Sequence, residues 1–122
     1  MKCSKHIFPA TALAEVIRKY LSGKKIVAIM GMMADKDSMR YLELTAPHFE
    51  RIITVQPQNP RSLTAEALAD EAKHFCKDVQ PAQSMKDAIE KATVSGDEVL
   101  VICGSFFLAS EIRDLAIEKY KA

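Results

Sequence analysis

Glycine is scarce in this sequence, and the scarcity excludes two common phosphate-binding motifs. Only four glycines occur, Gly23, Gly31, Gly96 and Gly104. No two of them stand two positions apart, so the G-x-G-x-x-G fingerprint of dinucleotide-binding domains is absent. No Gly-Lys-Ser or Gly-Lys-Thr occurs, so the chain carries no P-loop. A ligand of this chain would therefore be held by side chains and helix N-termini.

An excess of one charge and long apolar runs are missing as well. Seventeen Lys and Arg against sixteen Asp and Glu give a net charge of +1, which leaves no basic footprint for nucleic acid or an anionic membrane. No apolar run approaches the roughly 20 residues of a membrane span, and the N-terminus has no apolar signal region. We expect no nucleic-acid partner, no membrane association and a cytoplasmic location.

Cysteine is sparse too. Cys3, Cys76 and Cys103 are odd in number and far apart, and neither they nor the scattered histidines have the spacing of a zinc site. We expect no disulfide framework and no metal site. Cys103 ends an apolar run and is expected to be a buried thiol rather than a nucleophile.

What is present is an alternation of two kinds of segment: short apolar runs, and segments whose apolar residues recur with helical periodicity. A chain of 122 residues is expected to form a single domain, 1–122. Pro47 is expected to end the helix predicted at 37–46. Strands are predicted at 24–32, 51–56 and 98–103, with a weaker one near 78–79. Helices are predicted at 11–22, 37–46, 64–76 and 84–92, with a last one after Gly104-Ser105.

Strands that alternate with helices predict the fold class. Such a pattern implies βαβ units and a parallel sheet. Right-handed crossovers then give an α/β, three-layer, doubly wound domain with a mainly parallel sheet. Ligands of such sheets bind outside the carboxyl ends of the strands. Three loops occupy that edge, at 31–37, 57–62 and 104–106.

Each loop carries polar groups that allow two interpretations. Asp35, Lys36 and Asp37 follow the first strand; they are either solvated charges with a helix cap, or an ammonium fixed between carboxylates for a carboxylate ligand. Arg61 either belongs to an ordinary connection or faces an anionic ligand. Ser105 is either a helix cap alone or an anion-binding group at a helix N-terminus.

Three motifs stand at the predicted loops. The first is Lys24-Lys-Ile-Val-Ala-Ile-Met-Gly-Met-Met-Ala-Asp-Lys-Asp37, the second Gln56-Pro-Gln-Asn-Pro-Arg61 and the third Val101-Ile-Cys-Gly-Ser-Phe-Phe-Leu108. Read together, they resemble a strand and loop, the next loop and the late G-S-L-Y-L-type motif in the C-terminal domain of the folylpolyglutamate synthases / dihydrofolate synthases of the Mur ligase family. The motifs occur in family order, and the resemblance covers roughly residues 11–115.

The resemblance implies a Rossmann-like domain of an ATP-dependent amide ligase, which adds L-glutamate to folate or dihydropteroate through an acyl phosphate. It implies Lys36 and Ser105 as glutamate-binding residues, with Asp35, Asp37 and Arg61 in support and no catalytic residue in this chain. ATP and Mg²⁺ would serve the full-length enzyme without binding tightly to this domain, and the substrates would reach it through an N-terminal ATPase domain.

The N-terminal sequence departs from the family. The family's C-terminal domain begins with an Asp-Gly-Ala-His-Asn-Pro motif, whereas this chain begins Met1-Lys-Cys-Ser-Lys-His-Ile-Phe-Pro9, so no role is transferred to His6. The ATPase domain is also missing from the sequence, and we expect the isolated chain to be inactive. Two alternatives stay open: a freestanding α/β binding module for a small anionic metabolite, and an interaction protein that forms a homodimer through the exposed interdomain face.

Overall fold

The computed structural model describes residues 15, 17–19, 23–34, 37–92 and 98–103. Residues 15 and 17–19 are helical; the rest of the helix predicted at 11–22, and the helix predicted after Ser105, lie outside the described residues. The described elements are β1 (Lys25–Met30), α1 (Ser38–Thr45), a 3₁₀ helix (Ala46–His48), β2 (Arg51–Thr54), α2 (Ala65–Ala72), β3 (Val79–Pro81), α3 (Met85–Lys91) and β4 (Glu98–Cys103).

The four strands form one sheet in the order β3-β2-β1-β4. Every neighbouring pair is parallel, as the alternation of strands and helices predicts. Met30 at the end of β1 stands in register with Thr54 of β2 and with Cys103 of β4. The carboxyl ends of these three strands therefore finish at the same level.

Side chains of β1 alternate between two separate cores. Ile26, Ala28 and Met30 pack on one face of the sheet, in the core that also contains Leu42 of α1 and Leu68 of α2. Val27 and Ile29 pack on the opposite face with Ala88 and Ile89 of α3. Helices thus cover both faces, which confirms the three-layer, doubly wound α/β fold. The chain adds β2 and β3 on one side of β1 and then β4 on the other side, so the topological switch point lies between β1 and β4.

Two helices begin at side chains that cap them, at the residues where their predicted ranges start. The hydroxyl of Thr64 accepts a hydrogen bond from the N–H of Ala67 (3.1 Å), and Leu63 packs against the core that contains Leu68, as in a hydrophobic staple. Ser84 accepts from the N–H of Asp87 (3.0 Å). In a capping box the Asp87 carboxylate would accept from the N–H of Ser84 itself. Here it accepts instead from the N–H of the preceding residue, Gln83 (2.9 Å).

Pro47 ends the α-helix as expected: α1 stops at Thr45, and Ala46 is its C-cap. The backbone continues from α1 into the 3₁₀ helix Ala46–His48, and Pro47 lies in its first turn. A proline is tolerated there because its missing N–H would have no partner within the helix. The 3₁₀ turn closes with a bond from the N–H of Phe49 to the carbonyl of Ala46 (3.0 Å).

Two side chains of β2 anchor the helices that follow it. The buried hydroxyl of Thr54 donates to the carbonyl of Ala65 at the start of α2 (2.7 Å). At the other end of the strand, Arg51 donates through Nη1 to the carbonyl of Lys91 at the end of α3 (2.7 Å). Each bond joins one end of β2 to a helix on a different face of the sheet.

Across the described residues, none of the helices is long and apolar enough to cross a membrane.

Candidate functional site

The candidate site begins where three strands end side by side. Immediately after β1, the N–H of Gly31 donates to the carbonyl of Cys103 at the end of β4 (3.3 Å). On the other side, the N–H of Val55 just after β2 donates to the carbonyl of Met30 (3.0 Å). The loops that leave these strands therefore start from adjacent points at the ligand-binding edge of the sheet.

Gly31 lies in close contact with the loop after β2. A Cβ atom at this position would lie 2.9 Å from the carbonyl oxygen of Val55 and 3.0 Å from both Cγ and Cδ of Pro57. Pro57 is buried, and a backbone oxygen cannot rotate away as the tip of a flexible side chain can. The two loops approach this closely because residue 31 has no side chain.

Beyond Gly31 the two loops pair with each other. Met33 and Ser62 form an antiparallel bridge. The N–H of Ala34 donates to the carbonyl of Arg61 (2.6 Å), and the N–H of Leu63 donates to the carbonyl of Met32 (2.9 Å). We call this pairing the loop bridge. It joins the segment that leads into Asp35 and Lys36 to the segment that carries Arg61.

The structure describes two of the five predicted site residues. Asp37 is exposed and caps α1, where its carboxylate accepts from the N–H of Arg40 (3.1 Å). Arg61 is exposed, and its backbone N–H donates to the side chain of Asn59 (3.0 Å). The loop bridge brings the backbone of Arg61 to Ala34, three residues before Asp37. Asp35, Lys36 and Ser105 lie outside the described residues.

The described end of β4 carries a buried thiol. Cys103 is buried in the core that contains α1 and α2, where Tyr41 packs against it. Burial raises the pKa of the Cys103 thiol to about 12, and a hydrogen bond from Tyr41 opposes that rise only in part. At neutral pH the group is a neutral thiol, as its apolar surroundings in the sequence predict.

A cleft of about 670 Å³ lies on the other side of the loop after β2, between that loop and the segment after β3. Among the described residues its walls contain amide and hydroxyl groups, two prolines and Glu66, and no Lys or Arg. Sequence reasoning missed it, because its walls come from two loops that are distant in the chain. The lining residues are Gln56, Pro57, Gln58, Asn59, Pro60, Ala65, Glu66, Ala82, Gln83, Ser84 and Met85.

The described part of the chain offers no built site for Mg²⁺. No group of three or more His, Cys, Asp or Glu side chains in that part is arranged to hold a metal ion. Magnesium prefers carboxylate and phosphate oxygens, and the exposed Asp37 carboxylate is already committed to the α1 cap. No described residue is therefore assigned to the binding of Mg²⁺.

Comparison with known proteins places this geometry in a family. Residues 8–106 match the family model of the Mur ligase glutamate ligase domain. A search of curated proteins finds no match. Solved structures do match, and all three reported next are whole ligases of which this chain covers about a quarter.

The folylpolyglutamate synthase of Mycobacterium tuberculosis, complexed with ADP, is 29% identical with a TM-score of 0.79, over 88% of this chain and 27% of that one. Folylpolyglutamate synthase from Thermotoga maritima is 26% identical with a TM-score of 0.74, over 93% and 26%. E. coli FolC, in complex with DHPP and ADP, has a TM-score of 0.78 over 93% and 27%; at 20% identity it supports the fold alone. This chain therefore belongs to the Mur ligase family, as a C-terminal glutamate ligase domain of the folylpolyglutamate synthase-like type.

Proposed function

We propose that this chain is the glutamate-binding domain of an ATP-dependent folylpolyglutamate synthase / dihydrofolate synthase, the ligase that adds L-glutamate to a folate. Membership of the glutamate ligase domain family supports the class of reaction. The likeness to folylpolyglutamate synthases supports the folate acceptor. Since the chain spans about 27% of the first of these relatives, catalysis is assigned to a complete enzyme whose ATPase domain holds ATP and Mg²⁺. The chain itself would form one domain, 1–122.

The observation that carries the proposal is the shared level of three neighbouring strand ends. Lys36 follows β1, Arg61 follows β2 and Ser105 follows β4 in the sequence. Met30 pairs with the last residue of β2 and the last residue of β4, and the loop bridge joins the first two loops directly. Three polar residues thus follow strand ends that meet at one small part of the sheet edge.

The residue types fit a dicarboxylic amino acid. We assign one carboxylate of glutamate to the ammonium of Lys36, which acts as a point charge. The other is assigned to the Ser105 hydroxyl. Asp35 and Arg61 would support these contacts, and Asp37 would hold the start of α1 beside them through its cap.

The proposed step is an acyl transfer. In the complete enzyme ATP converts a folate carboxylate into an acyl phosphate, and the amine nitrogen of glutamate attacks the acyl carbon. A C–N bond forms, the C–O bond to phosphate breaks, phosphate leaves, and the nitrogen loses a proton. This chain would contribute by fixing both glutamate carboxylates, so that the amine faces the reacting carbon; positioning of this kind lowers the barrier substantially.

Titration calorimetry of the chain with L-glutamate tests the binding role. The wild-type chain is expected to bind, and Lys36→Ala and Ser105→Ala are each expected to weaken binding by about tenfold or more, the loss of roughly 1.4 kcal/mol. Lys73→Ala, which removes an exposed lysine after α2, serves as the matched control and should leave binding unchanged. Tight binding of another small anion in place of glutamate would instead favour a freestanding module.

The catalytic part of the proposal has a separate test. The isolated chain, supplied with ATP, Mg²⁺, a folate and L-glutamate, is expected to form no folylpolyglutamate, because the P-loop is absent from its sequence. Turnover by the isolated chain would contradict the assignment of ATP chemistry to another domain.

A further inference from the structure

We propose that Gly31 is a positioning residue for glutamate binding: its missing side chain lets the loop after β1 dock against the loop after β2, and this docking sets the distance between the polar residues that the two loops carry. The inference rests on the proposed function. It goes further by naming a residue that touches no substrate and acts through the backbone.

The contact geometry allows no larger residue at this point. An added Cβ would lie 2.9 Å from the Val55 carbonyl oxygen, closer than real Cβ atoms approach. Two ring carbons of the buried Pro57, each 3.0 Å away, close the remaining space. Any side chain on residue 31 would have to push the loop after β2 away from β1.

The displacement would reach the loop bridge. The carbonyl of Met32, the residue after Gly31, accepts a hydrogen bond from the N–H of Leu63. Two residues further on, the N–H of Ala34 donates to the carbonyl of Arg61. Because all of these are short backbone contacts, a shift of the loop after β2 cannot be absorbed by side-chain rotation. It would change where Arg61 lies relative to the segment that leads into Lys36.

Gly31 differs in this respect from the other described glycine. Gly23 has a φ of +82° but nothing within 4 Å of an added Cβ, so its role is conformational. It precedes β1, whereas Gly31 follows it, and six extended residues separate the two by about 20 Å. Gly23→Ala therefore provides a matched control that strains the backbone without touching the candidate site.

The test uses four chains: wild type, Gly31→Ala, Gly23→Ala and the double variant Gly31→Ala/Pro57→Ala. Each is titrated with L-glutamate by calorimetry, and the amides of Ala34 and Leu63 are followed by hydrogen exchange, which reports the loop bridge without any ligand. Gly31→Ala should lose protection at both amides and bind glutamate about tenfold or more weakly. Gly23→Ala should lower the melting temperature while leaving both amides protected and the affinity unchanged.

The double variant tests the contact itself. Removing the Pro57 ring carbons leaves the Val55 carbonyl oxygen as the one remaining close contact of the new methyl group. The double variant should therefore regain part of the amide protection and about threefold of the lost affinity, a coupling expected of residues in contact. If Gly31→Ala fails to fold, Ala34→Pro takes its place in the test. This variant removes one N–H of the loop bridge without filling the space beside Gly31, and it should weaken glutamate binding in the same way.

The outcomes separate the two proposals. A wild-type chain that does not bind L-glutamate would overturn the proposed function, and that result is read without any variant. Gly31→Ala with wild-type affinity, or with lost amide protection and unchanged affinity, would overturn the positioning role while leaving the proposed function standing. A double variant no better than Gly31→Ala would overturn the contact with Pro57 as the cause.

Discussion

The backbone N–H of Ala34 donates to the carbonyl of Arg61 across 2.6 Å, which joins the loop after β1 to the loop after β2. Ala34 is exposed, so its side chain can be changed without disturbing the core. This makes the bond testable by itself.

Ala34→Pro is expected to destabilise the fold by about 1 kcal/mol, the net worth of an ordinary backbone hydrogen bond. Proline has no N–H to donate to Arg61, and the extended Met33 before it is compatible with a following proline. Urea denaturation measures the change in the free energy of unfolding. Ala34→Ser keeps the N–H and is the control; equal losses in the two variants would show that the bond has no part in the effect.

Thr54→Val is expected to cost about 1–3 kcal/mol of stability. The two side chains have nearly the same shape, but valine cannot donate to the carbonyl of Ala65, which the Thr54 hydroxyl reaches across 2.7 Å inside the protein. Thermal and urea denaturation check the loss. Thr54→Ser retains the hydroxyl and should recover part of the stability; a serine variant no more stable than the valine variant would contradict the hydrogen bond as the cause.

Asp87 gives the fold a dependence on acidic pH. The pKa of its carboxyl group is lowered from 3.8, first by the bond from the N–H of Gln83 and then by Lys91, whose ammonium lies 3.1 Å away. A lowered pKa means that the stabilisation is present above pH 3.8 and is lost as the pH falls through the folded-state value. The difference in unfolding free energy between wild type and Asp87→Asn should therefore shrink as the pH is lowered toward that range. A difference that stays constant with pH would contradict the linkage.

Cys103 gives a dependence of the opposite sign at alkaline pH. Burial raises the pKa of its thiol from 9.0 to about 12, so the neutral thiol stabilises the fold fully below pH 9.0. That contribution should be lost as the pH rises from 9.0 toward 12, because the unfolded chain ionises first. The stability difference between wild type and Cys103→Ala, followed by urea denaturation from pH 7 upward, should decline over that range.

Thiol labelling offers a second measurement on the same residue. At neutral pH Cys103 should react with a maleimide far more slowly in the folded chain than in urea, since the thiolate is the reactive form. Peptide mass spectrometry distinguishes it from the other cysteines. Rapid labelling of the folded chain at Cys103 would show that the thiol is accessible and ionised.

Local signals in the sequence predicted the helix starts well. Thr64 and Ser84 cap the helices that follow them because a hydroxyl needs only a backbone N–H three residues ahead. The end of α1 before Pro47 was predicted, but the 3₁₀ turn that follows it was not. Pro47 forbids an α-helical interior but not a 3₁₀ turn, and the difference depends on how the chain enters β2.

The candidate site was predictable only in part for a similar reason. The strand ends follow from the alternation of apolar and helical segments, and Asp37 caps α1 as its position before the helix indicates. The loop bridge joins Met33 to Ser62, which no short-range pattern could show. Gly31 stood in the sequence as an ordinary glycine after a strand, and only the approach of Pro57 from the next loop shows that a side chain has no space there.

The central place of β1 bears on how the protein is made. β1 lies between β2 and β4 in the sheet. β2 is the next strand along the chain, whereas β4 comes last of the described strands and its residues Glu98–Cys103 pair with all of Lys25–Met30. A nascent chain leaving the ribosome could pair β1 with β2 early, but β1 would keep one bare edge until β4 emerges. Pairing over so long a sequence separation is slow, so the sheet should be completed only after β4 has emerged.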